Sequence, residues 1–399
     1  MKKLKIHKGK IVQADNNKPV YLRGCNLGGW LMMEAYFLHT PNLPVKDLTR
    51  QLLPAIGKKG VEDFYKKFRD NFIVEADLKR IASFGLNVVR LPFHHGLIEK
   101  TPFKYDKEGL TYLDRAISWA KKYGIYVILD LHGAAGSQNH DWHSDSYGEA
   151  LLWKDKKNQE RTYALWEFLA NRYKNETAVA GYDLLNEAVI ADHVLLNKFY
   201  NNIIKAIRKN DKNHILFIEG NKWAQDLECL EFFEDDNYAL SIHFYEPIQF
   251  TFNMTPHLTY PLKGQQGNWD KSVTAAMHAK YAKLAATHQA PIFVGEFGVN
   301  YRNGFYKEEN WVKDTVQVFN SLGFHWTYWT YKAIKNAMFP DGLLSYYPNP
   351  PWVRREGPVT GWNTYNKLWA TRKKDMVDSW RSENFTENPK VIQVLKKYA

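Results

Sequence analysis

Eight short apolar runs punctuate this chain, and the spacing between them leaves room for a helix in almost every gap. They are VYLRG (20–24), NVVRL (87–91), IYVILDL (125–131), VAGYDLL (179–185), HILFIE (214–219), YALSIHF (238–244), PIFVGE (291–296) and FHWTYW (324–329). Between them lie amphipathic stretches such as VEADLKRIASFG, YLDRAISWAKKYG, VLLNKFYNNIIKAIRK and EENWVKDTVQVFNSLG, several of which end in Gly ahead of the next run, as helices commonly do. Near-continuous apolar strands alternating with helices imply a parallel sheet covered on its outside. Eight such units imply an α/β fold closed as a (β/α)8 TIM barrel. A doubly wound sheet is the competing arrangement, but no GxGxxG opens any helical stretch.

Three connections exceed the usual length: 31–68, 245–270 and 335–363. All leave the C-terminal ends of strands, so all are expected to form long loops at the C-terminal face, walling one mouth. Residues 1–399 are expected to form a single catalytic barrel domain, with 371–399 as a C-terminal helical extension packed on the barrel.

Composition narrows the function classes. The 14 Trp and 24 Tyr exceed what a core needs, so some are expected to line a cleft and stack on a ligand. Sugar rings suit such platforms, because one face is mostly C–H. The formal charge of +11 could suggest nucleic acid, but the lysines are spread along helical stretches with acids nearby and form no dense stripe. No nucleic-acid role is expected. No run approaches the roughly 18 apolar residues of a membrane span, so no integral membrane association is expected. The N-terminal segment lacks an apolar h-region and there are only two cysteines, Cys25 and Cys229. A cytoplasmic location is expected unless an export leader precedes the chain.

In a barrel the side chains at strand C-termini converge on one cavity. That rule gathers Arg90, His132, Asn186, Glu187, His243, Tyr245, Glu296 and Trp329. Two carboxylates facing one cleft suit acetal hydrolysis, which needs a proton delivered to the leaving oxygen and a group that traps the oxocarbenium-like centre. Electrostatics separates the roles. Arg90 is expected to keep Glu296 ionised as nucleophile, with Tyr245 bonding the same carboxylate. Apolar walls and the charge of Glu296 are expected to raise the pKa of Glu187, making it the acid, with His243 tuning it. Asn186 is placed to donate to a sugar 2-OH, and Trp329 to floor the reacting ring.

The ordered set RGCNLGGWLMME, NVVRLPF, LDLHGAAGSQN, DLLNE, IHFY, VGEFG and YWTYK resembles glycoside hydrolase family 5 over about residues 20–370, nearest to its exo-β-1,3-glucanase type. The resemblance implies a retaining (β/α)8 enzyme with acid/base Glu187, nucleophile Glu296 and supporting Arg90, His132, Asn186, His243, Tyr245 and Trp329. It also implies that Glu34 and Asn139 hold the non-reducing glucose, and that no metal or organic cofactor takes part. The sequence departs from the exo-glucanase pattern at HDWHSDSYG (140–148), where Trp142 is expected to meet sugar and where the spacing of His140, Asp141, His143 and Asp145 matches no strong metal signature.

The expected activity is retaining hydrolysis of β-glucosidic bonds, exo-acting on oligosaccharides or β-glucosides. The alternatives are an endo-acting β-glucanase, a glycolipid-directed β-glycosidase using an apolar shelf at FTFNMTPHL (250–258), and a non-catalytic carbohydrate-binding barrel. The expected partner is a β-linked carbohydrate; the sequence leaves oligomerisation open.

Overall fold

Period-2 alternation decides what faces the barrel axis. In this computed structural model, which describes residues 1–38, 43–264, 267–334, 338–346 and 362–399, eight parallel strands close into a barrel. They are β1 (Arg23–Asn26), β2 (Val88–His94), β3 (Tyr126–Gly133), β4 (Val179–Asp183), β5 (Ile215–Glu219), β6 (Tyr238–Phe244), β7 (Ile292–Phe297) and β8 (His325–Tyr328). Each falls within or across one of the eight apolar runs. The fold is a (β/α)8 TIM barrel.

Val88, Ile128, Ala180, Ile215, Phe217, Ala239 and Phe293 cluster along the axis, and the N-terminal hairpin (Leu4–His7 with Lys10–Gln13) adds Leu4 and Ile11 to that cluster. Their alternates, such as Val89, Leu91, Phe93, Leu216, Ile218, Leu240 and Ile242, belong to the larger core under the helices. Continuing the alternation upward brings polar groups onto the axis: Arg90 after Val88, Asp130 and His132 after Ile128, Glu219 after Phe217, and His243 after Ala239 and Ser241. The apolar floor and polar ceiling are consecutive layers of the same strands.

The alternation breaks at several register slips, and one of them sets a site residue. Between β6 and β7 the register slips, so that Ile242 faces Val294 but His243 faces Glu296. The extra residue, Gly295, re-aims Glu296 inward, as bulges beside active sites often do.

The helices start where the sequence supplies a cap. Asp106, Asp155, Asp192 and Asp270 each accept a backbone N–H at the first turn of Lys107–Lys122, Lys156–Tyr173, His193–Arg208 and Lys271–His288. Close approach elsewhere demands glycine. A Cβ on Gly24 would lie 1.7 Å from the Val88 carbonyl oxygen of the neighbouring strand. Gly24→Ala is expected to lower unfolding free energy by about 3 kcal/mol or more, the upper end for overpacking, as a shift in the urea midpoint at unchanged slope.

The 31–68 connection contains regular structure that its Pro and Gly content concealed. Helix Val45–Phe72 runs through it, carrying Pro54 and turning at Gly57 (φ 66°). Helix Trp362–Ser379 lies against it, with Trp369 and Trp380 edge-on to Phe64 at 5.0 and 5.6 Å. Helix Pro389–Tyr398 packs on Glu308–Ser321, and the Tyr398 carbonyl accepts from Arg23 at 2.8 Å. Much of the 335–363 connection, including most of SYYPNPPWVRREGPVTGW, lies outside the described residues.

Candidate active site

Arg90 is the hub beneath the mouth, fully buried. Its Nε donates to Asp183 at 2.8 Å, one terminal nitrogen to Glu296 Oε1 at 2.7 Å, and the other to Asn186 Oδ1 at 2.8 Å and Glu219 Oε1 at 2.9 Å. Asp130 stands 3.1 Å away. Such a crowd of carboxylates tolerates burial only because a planar cation satisfies several at once. Burial and the adjacent Glu219 raise Asp183 well above the usual carboxylate range, against the pull of Arg90.

Glu296 Oε2 accepts from the Tyr245 hydroxyl at 2.8 Å. Glu187 lies just past β4 in the left-handed region (φ 48°), a strained position for a residue with a side chain. Two contacts hold it there: its N–H donates to Glu219 Oε2 at 2.6 Å, and its carbonyl accepts from Asn139 Nδ2 at 2.9 Å. His243 Nδ1 meets Glu187 Oε1 at 2.7 Å and Glu296 Oε2 at 3.5 Å. The nearest oxygens of the two glutamates lie within 4.8 Å of each other.

The charges differ from the sequence expectation. Burial would raise Glu187, but hydrogen bonds from His143 and His243, and their charges, hold it well below the usual range. Burial raises Glu296 above its ordinary value, against His243 and Arg90 and with help from Glu187. The reversal has two physical sources. Arg90 divides its charge among Asp130, Asp183, Glu219 and Glu296, while Glu187 receives an imidazole on each oxygen. The second of these, His143, comes from a loop that strand patterning does not reach.

A cavity of about 440 Å³ opens above the pair, within the range of small-ligand sites. Glu34, His132 and Trp329 line it. His132 stacks on Trp329 at 5.5 Å and bonds Asp130 at 2.8 Å; burial opposes its charge, but Asp130 and Glu34 lift its pKa to about 10. Glu34 Oε1 is buried without a hydrogen-bond partner, 3.5 Å from His132 Nε2. Asn186 gives its carbonyl oxygen to Arg90 and leaves its Nδ2 unpartnered. Tyr36, Trp142 and Phe339 pack on one another, with ring centroids 5.3 to 6.3 Å apart, and line the cavity. Tyr36 also accepts from Trp329 Nε1 at 2.7 Å.

Asn139 does not occupy the sugar-contacting position expected of it. It is buried with no exposed surface and does not line the cavity. Its Oδ1 accepts from the Asp141 N–H, and its Nδ2 is committed to the Glu187 carbonyl. The 140–148 loop curls back over Asn139 and makes it an internal bracket. Three of the loop's other candidates diverge: Asp141 accepts from Trp223 at 2.7 Å, His143 meets Glu187, and Asp145 faces His94 at 3.4 Å.

The strand-end rule passed over Asp130, Asp183 and Glu219, although inward alternation from Ile128 and Phe217 points to the first and third. Trp223 and Gln225 also line the cavity. Lys222, Trp223 and Ala224 are all left-handed (φ 52° to 58°), a backbone that no local sequence pattern announced. The proposed glycolipid shelf is not assembled: Phe250 is buried, Phe252 lines the cavity, and Met254 stands in solvent. Three clusters among the described residues are tight enough for a metal. In two of them the His243 imidazole or the Arg90 guanidinium already provides the cation. The third, His193–Asp226–Cys229, is on the surface, where Lys222 pairs with Asp226 at 2.9 Å.

The sequence profile of the family Cellulase (glycosyl hydrolase family 5) matches residues 55–335. The chain belongs to glycoside hydrolase family 5. A β-xylosidase from Phanerodontia chrysosporium is 34% identical over 96% of this chain and 79% of its own length. A probable glucan 1,3-β-glucosidase A from Aspergillus fumigatus is 30% identical over 55% of this chain, and endoglucanase C from Acetivibrio thermocellus is 35% identical over 53%; the match spans 58% of each of those two. The endoglucanase Cel5A of Thermotoga maritima shares the fold, with a TM-score of 0.63 at 19% identity over 94% of this chain and 96% of its own. This family 5 protein is therefore a glycoside hydrolase, and its partner is a carbohydrate.

Proposed function

We propose that the enzyme is a retaining, exo-acting β-glycosidase that removes single sugars from the non-reducing ends of β-glucosides and short oligosaccharides. The observation that carries this reading is the pair of glutamates with oxygens within 4.8 Å of each other, on either side of His243. An inverting pair stands about 6.5–9.5 Å apart to admit a water, whereas a retaining pair stands about 5–5.5 Å apart.

In this reading Glu296, fixed by Arg90 and Tyr245, attacks the anomeric carbon, and Glu187 protonates the departing oxygen. Glu187 then draws a proton from the water that releases the sugar. The unpartnered Asn186 Nδ2 meets the 2-OH, and the unpartnered Glu34 Oε1 accepts from a hydroxyl of the same ring over Trp329. Glu34 would thus gain a hydrogen bond beside the His132 imidazole 3.5 Å away. The packed rings of Tyr36, Trp142 and Phe339 line the cavity, and in this reading they close it beyond the bound sugar, where an endo enzyme keeps a trench. The aglycone then leaves past Trp223 and Gln225.

A second reading, β-xyloside hydrolysis, draws on the β-xylosidase relative that matches 96% of this chain. The two readings differ in whether the cavity accepts the hydroxymethyl group that glucose carries and xylose lacks. A panel of aryl β-glycosides decides between them, and an oligosaccharide with a labelled reducing end tests the mode. The expected early product is a monosaccharide, with the label shortening one unit at a time. Early internal fragments would overturn exo action.

A further inference from the structure

His143 lies in the one-turn helix Trp142–Ser144 of the loop after β3, and its Nε2 stands 3.0 Å from Glu187 Oε2. With His243 on Oε1, both oxygens of Glu187 face an imidazole. The two histidines are not equivalent. The His243 side chain is 1% exposed, and its nitrogens lie 2.7, 3.2 and 3.5 Å from Glu187, Glu219 and Glu296, carboxylates that raise its pKa well above the ordinary value against burial. The His143 side chain is 17% exposed at the cavity wall, where protons can exchange with solvent, and among the described residues Glu187 is its one carboxylate at ion-pair distance.

We propose that His143 is a positioning residue that shares one proton with Glu187 and keeps in reserve the proton destined for the leaving group. This rests on the reading of Glu187 as the acid/base. The shared proton has two homes. On His143 it makes an imidazolium–carboxylate pair, and there the bond from Glu187 and its charge outweigh burial and raise the imidazole above its ordinary value. On Glu187 it leaves His143 neutral, with a single Nε2 lone pair that the Glu187 O–H and a second donor can share.

Asn139 favours the second home. Its amide is oriented by the Asp141 N–H on Oδ1 and by its own bond to the Glu187 carbonyl, both at 2.9 Å, so its remaining N–H reaches His143 Nε2 at 3.2 Å. Only an unprotonated nitrogen can accept that bond. The transfer breaks His143 N–H as Glu187 O–H forms, and the leaving oxygen takes that proton as the glycosidic C–O bond breaks. In the second half-reaction the attacking water returns a proton to Glu187.

Two coupled sites hold one proton to higher pH than either does alone. The other charges around the pair would stay in place in a His143 variant: Glu219 on β5, His243 on β6, Glu296 on β7 with Arg90 behind it, Glu34 and His132 on the cavity wall, and Asp141 in the loop.

The test is the pH profile of kcat/KM for His143→Gln and His143→Asn on two aryl β-glycosides, one releasing phenol and one releasing dinitrophenol. On the phenyl glycoside the alkaline limb should move to lower pH by about one unit or more, because Glu187 then holds the proton unaided. On the dinitrophenyl glycoside, whose leaving group needs no proton, the rate at the optimum should stay within about threefold. An unmoved limb with both substrates slowed equally would reduce His143 to a packing residue. In the unaltered enzyme, the 15N resonances of His143 should titrate at the midpoint of the alkaline limb; a separate midpoint would overturn the proposal even if neither variant folds. Glu187→Ala is the control. If it keeps the alkaline limb, the acid/base reading itself fails; if it loses the limb while the His143 variants keep theirs, the proton-sharing proposal fails alone.

Discussion

Glu296→Gln is expected to lower kcat by a factor on the order of 10^5, comparable to deleting the nucleophile of other covalent mechanisms. The amide keeps the shape of the carboxylate and leaves the Tyr245 hydroxyl within reach, but it cannot form the glycosyl ester. Folding should survive, because the Arg90 guanidinium still has the carboxyl groups of Asp183, Glu219 and Asp130 within 2.8 to 3.1 Å. Steady-state rates on an aryl β-glycoside, with a melting curve of the same sample, check both halves. More than a tenth of the native rate in a folded variant would remove Glu296 from the nucleophile's role. The native pH profile carries a related signature. The nucleophile works ionised, and burial raises Glu296 above the usual carboxylate range. Activity should therefore fall with decreasing pH at an acid limb above the ordinary Glu value of about 4.3.

Glu187→Ala is expected to cost about 10^2- to 10^4-fold on a poor leaving group, the range for a general acid, and far less on dinitrophenolate. The contrast follows from the chemistry: only a basic leaving oxygen needs a proton at departure. Azide should restore turnover of the activated substrate, since it needs no general base to attack the glycosyl-enzyme, and the product should be a β-glycosyl azide. The alkaline limb should vanish, because no proton remains whose loss stops the reaction. A variant that slows both leaving groups alike and ignores azide would assign Glu187 another part.

The barrel was legible because its physics is periodic. Strands buried on both faces read as apolar runs, and helices between them read as amphipathic stretches with Asp at their starts. The residues at strand ends follow from the same pattern, which is why Arg90, His132, His243 and Glu296 could be picked out. Three features were not legible, each for its own reason. Asp130 and Asp183 lie inside apolar runs, where a polar residue reads as an interruption, and Glu219, though it closes its run, was passed over. Glu296 faces inward only because the register slips at Gly295, a tertiary adjustment that local sequence does not announce. Asn139 turns inward to the Glu187 carbonyl and His143 meets the Glu187 carboxylate because the 140–148 loop folds back over Asn139. The pKa order reversed for the same reason: the estimate from strand ends counted one imidazole beside Glu187, and the loop supplies a second.

The central claim is that Glu296 forms a covalent bond to the sugar while Glu187 manages the proton. Its most direct test is trapping with a 2-fluoro glycosyl fluoride, followed by proteolysis and mass spectrometry of the labelled peptide. Slow turnover of the fluorinated intermediate should leave one sugar per chain, on the peptide containing Glu296, with activity lost in step with labelling. A label on Glu187, or inactivation without a covalent adduct, would contradict the account.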